Sequence, residues 1–303
     1  MNIPKYVENI IKDLEKAGFE AYIVGGCVRD LLLENPPAGG PKDWDVTTNA
    51  KPEETLKVLP GGKYENTFGT VIVPIKNKDG ENEDVVEVTT YRSEQGYSDR
   101  RRPDEVRFET ELDKDLERRD FTMNALAMNL KGEIVDLFGG EKDIKKKIVR
   151  AVGEPVDRFK EDALRMMRAI RLASELGFEI EPKTERAIGK MASSIRFIAN
   201  ERISDELVKL LSSDKAYEGM MMLHNTKLLQ YIIPELETGV KVKQDRHHIH
   251  DVFTHSVLSL KHTPTSDWRV RFAALLHDIG KVKTRKIIKG IATFYNHEIV
   301  SAK

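Results

Sequence analysis

The sequence predicts an α+β protein, with a mixed head followed by a run of helices and a histidine-rich helical end. Three observations carry this prediction. Strand-like and helix-like segments alternate up to residue 142 around Gly, Pro and Asn turn signals; helical periodicity takes over from Asp143; and seven of the eight histidines fall between His247 and His297. A chain of 303 residues holds two or three domains, placed here at 1–142, 143–245 and 246–303.

Val7, Ile10, Ile11 and Leu14 recur at helical spacing, so the first element is an amphipathic helix. This start lacks the cationic and apolar regions of a signal peptide, and no later run approaches a membrane span. A cytoplasmic protein is expected, and the lone Cys27 excludes an internal disulfide. AYIVGG then reads as a short buried strand ending in a turn, and CVRDLLL opens a helix. The Pro/Gly loop ENPPAGGPKD leads to a second strand, WDVTT, and to a short helix, KPEETLKVL. TVIVPIKNKDGENEDVVEVTTYR alternates about its KDGEN turn, as a hairpin does. Between Tyr91 and Arg119 the chain is polar, highly charged and poor in apolar periodicity, which predicts a loop. Beyond it, FKEDALRMMRAIRLASELGF, KTERAIGKMASSI and ERISDELVKLLSSD each carry a helical repeat of apolar positions.

Composition narrows the function classes. Hydrophobic residues at 40% and charged residues at 33% describe a soluble globular chain, neither disordered nor fibrous. Lys+Arg (49) and Asp+Glu (50) nearly cancel to a net charge of -1, so a nucleic-acid partner has to be held by local basic patches.

Asp43 and Asp45 stand at i and i+2 on a predicted strand, which turns both side chains to one face where they can share a divalent ion. Glu87, in VVEVTTYR, is placed to bring a third carboxylate from the neighbouring hairpin. Oxygen-only ligands of this kind suit Mg²⁺ or Mn²⁺, bound jointly by carboxylates and substrate phosphates. DxD pairs are also common in ordinary loops. Gly25 and Gly26 add a turn where backbone approaches a ligand closely, the following helix start offers N–H groups to an anion, and Arg29 adds a permanent charge.

GGCVRD, DWDVTT, EVTTYR, RRDFTMNA (118–125), DLFGG (136–140) and EDALRMMRAIR (161–171), in that order, resemble the bacterial class II tRNA nucleotidyltransferase and poly(A) polymerase family over nearly the first 210 residues. The resemblance implies a polymerase-β-like head with Asp43 and Asp45 as metal carboxylates, and Gly25, Gly26 and Arg29 in a triphosphate cradle. Arg119, Asp120 and Asn124 match positions that contact phosphate and ribose. Asp162 and Arg165, three residues apart on one predicted helix and about 60° apart in azimuth, match a pair that selects CTP and ATP over GTP and UTP. An i,i+3 ion pair on a helix surface is the competing account of those two. Arg168 is placed to bind the incoming nucleotide or the RNA end. The 91–119 stretch matches a flexible loop needed for A addition, with Arg100, Arg101 and Arg102 as phosphate contacts or solvated charges; the basic run 142–150 carries the same two readings.

The histidine-rich end resembles an HD-type metal-dependent phosphohydrolase domain, with His255, His277 and Asp278 at the motif positions and His250 and His297 as additional candidate ligands for a divalent or transition metal. Such hydrolases take a further Asp downstream, and none follows Asp278. The sequence stops in what reads as mid-domain, so this unit is expected to be partial. The function expected on these grounds is template-independent addition of CCA to tRNA from CTP and ATP, with Mg²⁺ or Mn²⁺. An A-adding enzyme, a poly(A) polymerase, an HD phosphohydrolase and a non-catalytic RNA-binding module are the rivals.

Overall fold

Apolar periodicity and turn residues place the first elements as expected. In the computed structural model, which describes residues 3–37, 40–65, 68–76, 82–96, 105–244 and 249–303, α1 (Lys5–Lys16) buries Val7, Ile10, Ile11 and Leu14. β1 (Ala21–Val24) stops at Gly25, whose φ of 87° is a conformation that side chains with a Cβ resist, and α2 (Gly26–Leu32) starts at once. Then come β2 (Trp44–Thr48), α3 (Pro52–Val58), β3 (Lys63–Tyr64), β4 (Thr70–Lys76) and β5 (Asn82–Thr90). These strands join β8 (Leu126–Met128) and β9 (Ile134–Asp136) in a seven-stranded sheet of order β3-β4-β5-β2-β1-β8-β9. Only β2 and β5 run parallel; the other neighbours are antiparallel. β2 is therefore the central strand. Its Trp44 and Val46 are buried with Ile23, Val71, Val86, Val88 and Leu126, each such side chain contributing about 1.5–3 kcal/mol by leaving water.

The expected loop from Tyr91 to Arg119 is in large part regular structure. β6 (Arg92–Gln95) and β7 (Glu105–Phe108) form an antiparallel ribbon, and α4 (Leu112–Glu117) follows it. Apolar periodicity misses this ribbon because its strands pair through backbone and carry few apolar residues; on β6, Arg92 Nε lies 2.8 Å from Glu94 Oε1, and Arg118 Nη1 lies 3.2 Å from the same oxygen. Arg100, Arg101 and Arg102 lie outside the described residues. A 3₁₀ turn (Thr122–Asn124), α5 (Gly140–Lys146), β10 (Ile148–Val149) and α6 (Pro155–Glu161) complete the first compact unit, Met1–Glu161. That unit runs past residue 142 because the buried Asp143 accepts from the Thr122 hydroxyl (2.7 Å) and from Arg150 Nε (2.9 Å).

The second unit, Asp162–Lys303, is mainly helical. α7 (Leu164–Leu176) presents Met166, Met167, Ile170 and Ala173 to its core, and the short β11 (Glu179–Ile180) follows it. Around α7 pack α9 (Asn200–Ser212) and α10 (Ala216–Asn225); α8 (Pro182–Met191) lies between α7 and α9 in sequence. Two short helices, α11 (Leu229–Ile232) and α12 (Pro234–Glu237), lead to α13 (Val252–Lys261), α14 (Trp268–Leu276) and α15 (Lys281–Thr284). A small hairpin of β12 (Lys286–Ile288) and β13 (Ile291–Thr293) precedes α16 (His297–Ser301). Among the described residues, no helix is long and apolar enough to cross a membrane.

Glycine matters most at residue 140, in the DLFGG motif. A Cβ there would sit 2.3 Å from the Thr122 carbonyl oxygen, so the first turn of α5 can lie against the 3₁₀ turn only without a side chain. Gly140→Ala is expected to destabilise the protein by about 1–3 kcal/mol, as overpacking does, whereas Gly61→Ala, where a Cβ meets nothing within 4 Å, stays near wild type. Urea unfolding of both variants measures the difference, and equal midpoints would refute it.

Candidate functional site

In the first unit, the parallel pairing of β2 with β5 sets the acidic group. Asp45 is in register with Glu87, so the two carboxylates stand side by side on one face of the sheet. Burial raises the carboxyl pKa of Asp45, Arg119 opposes that rise, and the charge of Asp43 adds to it. Glu87 is raised by partial burial and then by the charges of Asp45, Glu65 and Asp43. Asp43 itself is exposed and lies in the bend before β2, one residue outside the strand, so the sequence expectation that it is part of that strand is corrected. The Pro/Gly loop that precedes Trp44 has not yet become extended at residue 43. Asp43, Asp45 and Glu87 do not come within 4.8 Å of one another as a ligand trio. An oxygen-only set whose charges repel fits a hard divalent ion that substrate phosphates help to hold.

The glycine turn supplies the neighbouring surface. A Cβ on Gly25 would lie 3.0 Å from Arg119 Nη1 and 3.5 Å from Asp45 Oδ2, so the open space at this glycine borders both a cation and the acid. Arg29 on α2 binds Asp30 Oδ1 through Nε (2.8 Å) and Nη2 (2.7 Å), and donates from Nη1 to Asn124 Oδ1 (2.9 Å). Asn124 Nδ2 in turn donates to Asp120 Oδ1 (3.1 Å). The structure thus brings GGCVRD and RRDFTMNA, about 95 positions apart, into one polar network. Sequence reasoning missed Asp115. It is fully buried on α4, and accepts from Arg118 Nε and Nη2 (3.0 and 2.6 Å), Arg119 Nη2 (3.1 Å) and the Thr47 hydroxyl (3.2 Å). Burial would raise its pKa, but the two arginines outweigh it and hold the carboxyl below its usual value. The i,i+3 and i,i+4 spacing of Asp115 to Arg118 and Arg119 was the available signal.

In the second unit, the expected continuous helix through Asp162 is broken. Asp162 lies before the first turn of α7, where its Oδ1 accepts from the Leu164 backbone N–H (3.0 Å), and Arg202 of α9 grips it through Nη2 (2.6 Å to Oδ2) and Nη1 (3.3 Å to Oδ1). Asp162 and Arg165 therefore do not share a helix face, and the azimuth inferred for them does not hold. Asp favours helix starts, where it caps free N–H groups, and that local preference wins over the apolar periodicity running through it. Arg165 and Arg168 stand one turn apart on α7. No sequence signal pointed to Arg202, 40 positions away.

The histidine-rich segment also gathers its residues. One ligand atom each from His255, His277 and Asp278 fits within 4.8 Å of the others. His255 Nε2 and His277 Nε2 lie 3.2 and 3.1 Å from Asp278 Oδ2, and His297 Nε2 lies 3.1 Å from Oδ1. Nδ1 of His277 and of His297 each face a backbone carbonyl at 2.8 Å, an arrangement that leaves Nε2 for a ligand. Lys281 Nζ also reaches Asp278 Oδ2, at 2.7 Å. Burial would raise Asp278, but bonds from His277 and Lys281 prevail and keep its carboxyl far below the carboxylate range; Asp278 in turn raises His277. His250 lies outside this group.

Residues 21–150 match the poly(A) polymerase head domain, and residues 177–239 match a probable RNA- and SrmB-binding site of polymerase A. The CCA-adding enzyme of Bacillus cytotoxicus is 47% identical over 224 residues, which is 74% of this chain and 54% of that one. The chain thus spans about half the length of the curated relatives it matches. The Bacillus stearothermophilus CCA-adding enzyme, solved in complex with CTP, superposes with a TM-score of 0.72 at 36% identity, over 93% of this chain and 65% of that one. A tRNA nucleotidyltransferase solved with a primer tRNA and an incoming ATP analog gives 0.62 at 27% identity, over 88% and 75%.

Cys27, in the turn itself, is buried and donates from Sγ to the Val24 carbonyl at 3.2 Å. Burial, reinforced by the nearby Asp45 charge, pushes its thiol up to about 12. At pH 8 the thiol stays protonated, and the thiolate is the reactive form. Ellman's reagent should leave the native chain unmodified at pH 8 and titrate one thiol after unfolding in guanidinium; rapid modification of the native chain would contradict the burial.

Proposed function

The chain belongs to the bacterial class II tRNA nucleotidyltransferase and poly(A) polymerase family, and from that premise we propose that it adds CCA to tRNA 3′ ends from CTP and ATP. The observation that carries the reading is the placement of Asp45, on the central strand beside Glu87 and next to the positive-φ turn at Gly25, where Arg119 Nη1 also lies. An acid and a phosphate-binding cation sharing one open backbone site are what nucleotidyl transfer requires.

In this reading the terminal tRNA hydroxyl attacks the α-phosphate of the nucleotide, a new phosphodiester forms, and the bond to pyrophosphate breaks. Asp43 and Asp45 hold Mg²⁺ or Mn²⁺, with Glu87 beside them. When bound, such ions lower the pKa of the attacking hydroxyl and neutralise charge on the departing pyrophosphate. Gly25 and Gly26 admit the triphosphate close to the backbone, and Arg29 and Arg119 supply donors to its oxygens. The Arg29–Asn124–Asp120 network fixes an amide and a carboxylate suited to ribose hydroxyls. Asp162, Arg165 and Arg168 select the base, with Arg202 fixing the Asp162 carboxylate. Residues 1–142 serve as the head, 143–245 as the nucleotide-selecting and RNA-binding helices, and 246–303 as an HD-type unit. The setting is cytoplasmic.

A second reading concerns that last unit alone. His255, His277 and Asp278, with His297 on the other carboxylate oxygen, form a nitrogen and oxygen set that suits a transition metal and metal-dependent phosphohydrolysis. Lys281 on Asp278 Oδ2 competes for part of that site.

Extension of tRNA transcripts ending at the discriminator base, at C and at CC, resolved to single nucleotides, tests the main reading. CCA addition that stops after A supports it; a single A on the CC transcript alone would replace it with an A-adding enzyme, and long A tails with a poly(A) polymerase. Asp45→Ala should cut extension by about 10²–10³-fold or more while tRNA binding changes little, and an unchanged rate would refute the assignment. His277→Ala should abolish Mn²⁺ or Zn²⁺ binding by the second unit in calorimetry without altering extension. Undiminished metal uptake would remove the second reading.

A further inference from the structure

Four hydrogen-bond donors converge on one fully buried carboxylate in the head. Asp115 Oδ1 takes both bonds from Arg118, and Oδ2 takes one from Arg119 Nη2 and one from the Thr47 hydroxyl. Thr47 stands two residues beyond Asp45 on β2, so both side chains share a sheet face. The carboxylate is thus anchored to the same strand and face that carry the candidate metal acid. Arg119 is held by this contact at one end of its guanidinium. At the other end, Nη1 borders the Gly25 turn. A fixed Nη1 donor beside a turn that has no side chain is placed to meet a ligand oxygen.

We propose that Asp115 is a positioning residue for nucleotide binding: its carboxylate orients Arg119 so that Nη1 faces the triphosphate at the Gly25 turn and stays off Asp45. The inference rests on the reading of this turn as the triphosphate site. Two arginines share the negative charge of Asp115, and its second oxygen alone holds Arg119. Without that charge, Asp45 is the other anion next to the guanidinium, as the lowering of its pKa by Arg119 records. An Arg119 that closes onto Asp45 would vacate the phosphate position and mask a metal carboxylate in one movement. The same carboxylate reaches outward as well. Arg118 also binds Glu94, which binds Arg92, so the β6–β7 ribbon is tied to Arg119 through Asp115.

A double-mutant cycle on the full chain tests this, with CTP binding read by calorimetry in Mg²⁺ and folding checked by thermal melts. Asp115→Asn and Arg119→Ala should each weaken CTP by about tenfold, the worth of one charge-assisted bond, and the double variant should bind within about twofold of Arg119→Ala alone. Asp115→Asn should also require more Mg²⁺ for half-maximal CTP binding, which simple loss of stability does not produce. Additive losses of about a hundredfold, or wild-type affinity in Asp115→Asn, would overturn the proposal. If Asp115→Asn does not fold, Thr47→Val removes a donor from the same oxygen and should weaken CTP by about two- to fivefold in the wild-type background and not in Arg119→Ala; equal effects in both would overturn it. Failure of the wild-type chain to bind CTP would defeat the reading of the turn and this inference with it, an outcome separate from an additive cycle.

Discussion

The head is organised around one electrostatic conflict that its sheet enforces. Parallel pairing of β2 with β5 sets Asp45 directly opposite Glu87, and neither can move away without breaking the central ladder of the sheet. Burial raises both carboxyls first, the charge of Asp45 adds to the rise at Glu87, and that of Asp43 adds to both. Rigid packing on the opposite face, with Trp44 and Val46 buried, keeps the strand from relaxing. The arrangement is therefore strained in charge while being well packed. Two undercompensated acids on a fixed ladder are an arrangement whose cost a cation would relieve.

The polar elements around that strand follow from the same constraint. Arg119 can approach Asp45 only because Gly25 has no Cβ, and its own position is set by Asp115 behind it. Arg29 is turned toward Asp30 and Asn124, so the two arginines of the site are each held by separate acids. Fixed donors lose little freedom when a ligand binds, which is how a polar site gains selectivity without added contacts. Gly140 belongs to this scheme at one remove, since it lets α5 lie against the turn that carries Asn124.

What the sequence made legible were local features and ordered motifs. Amphipathic α1, the Gly25 turn, the KDGEN hairpin and the helical second unit all follow from spacing and turn chemistry, which act over a few residues. The ribbon β6–β7 was not legible, because its strands pair through backbone and carry no apolar repeat. Nor was the break at Asp162, where capping and a partner 40 positions away override a helical pattern. His255, His277 and Asp278 were named from their motif, and the fold brings them together; the competing Lys281 was not foreseen, although its i,i+3 spacing to Asp278 was visible. Long-range partners are the common element in what was missed: Arg202 for Asp162, Thr47 for Asp115 and Arg118 for Glu94.

Three aspartates with differing surroundings show how charge compensation separates structural acids from acids ready for a cation. Asp115 is more deeply buried than Asp45, yet its carboxyl is lowered, because two arginines and a hydroxyl satisfy it. Asp278 is also lowered, by His277 and Lys281, so a metal entering there has to displace a proton or the ammonium. Asp45 has only the partial help of Arg119 against its burial and the charge of Asp43, and its carboxyl is raised. Burial alone does not distinguish the three, since it pushes all of them upward; the number and commitment of nearby cations does. An acid left undercompensated amid well-compensated neighbours is costly for folding, and its retention is accounted for by binding a cation that the folded chain does not itself provide. On that criterion Asp45 is the head's candidate metal acid, and Asp43 stands exposed just before its strand.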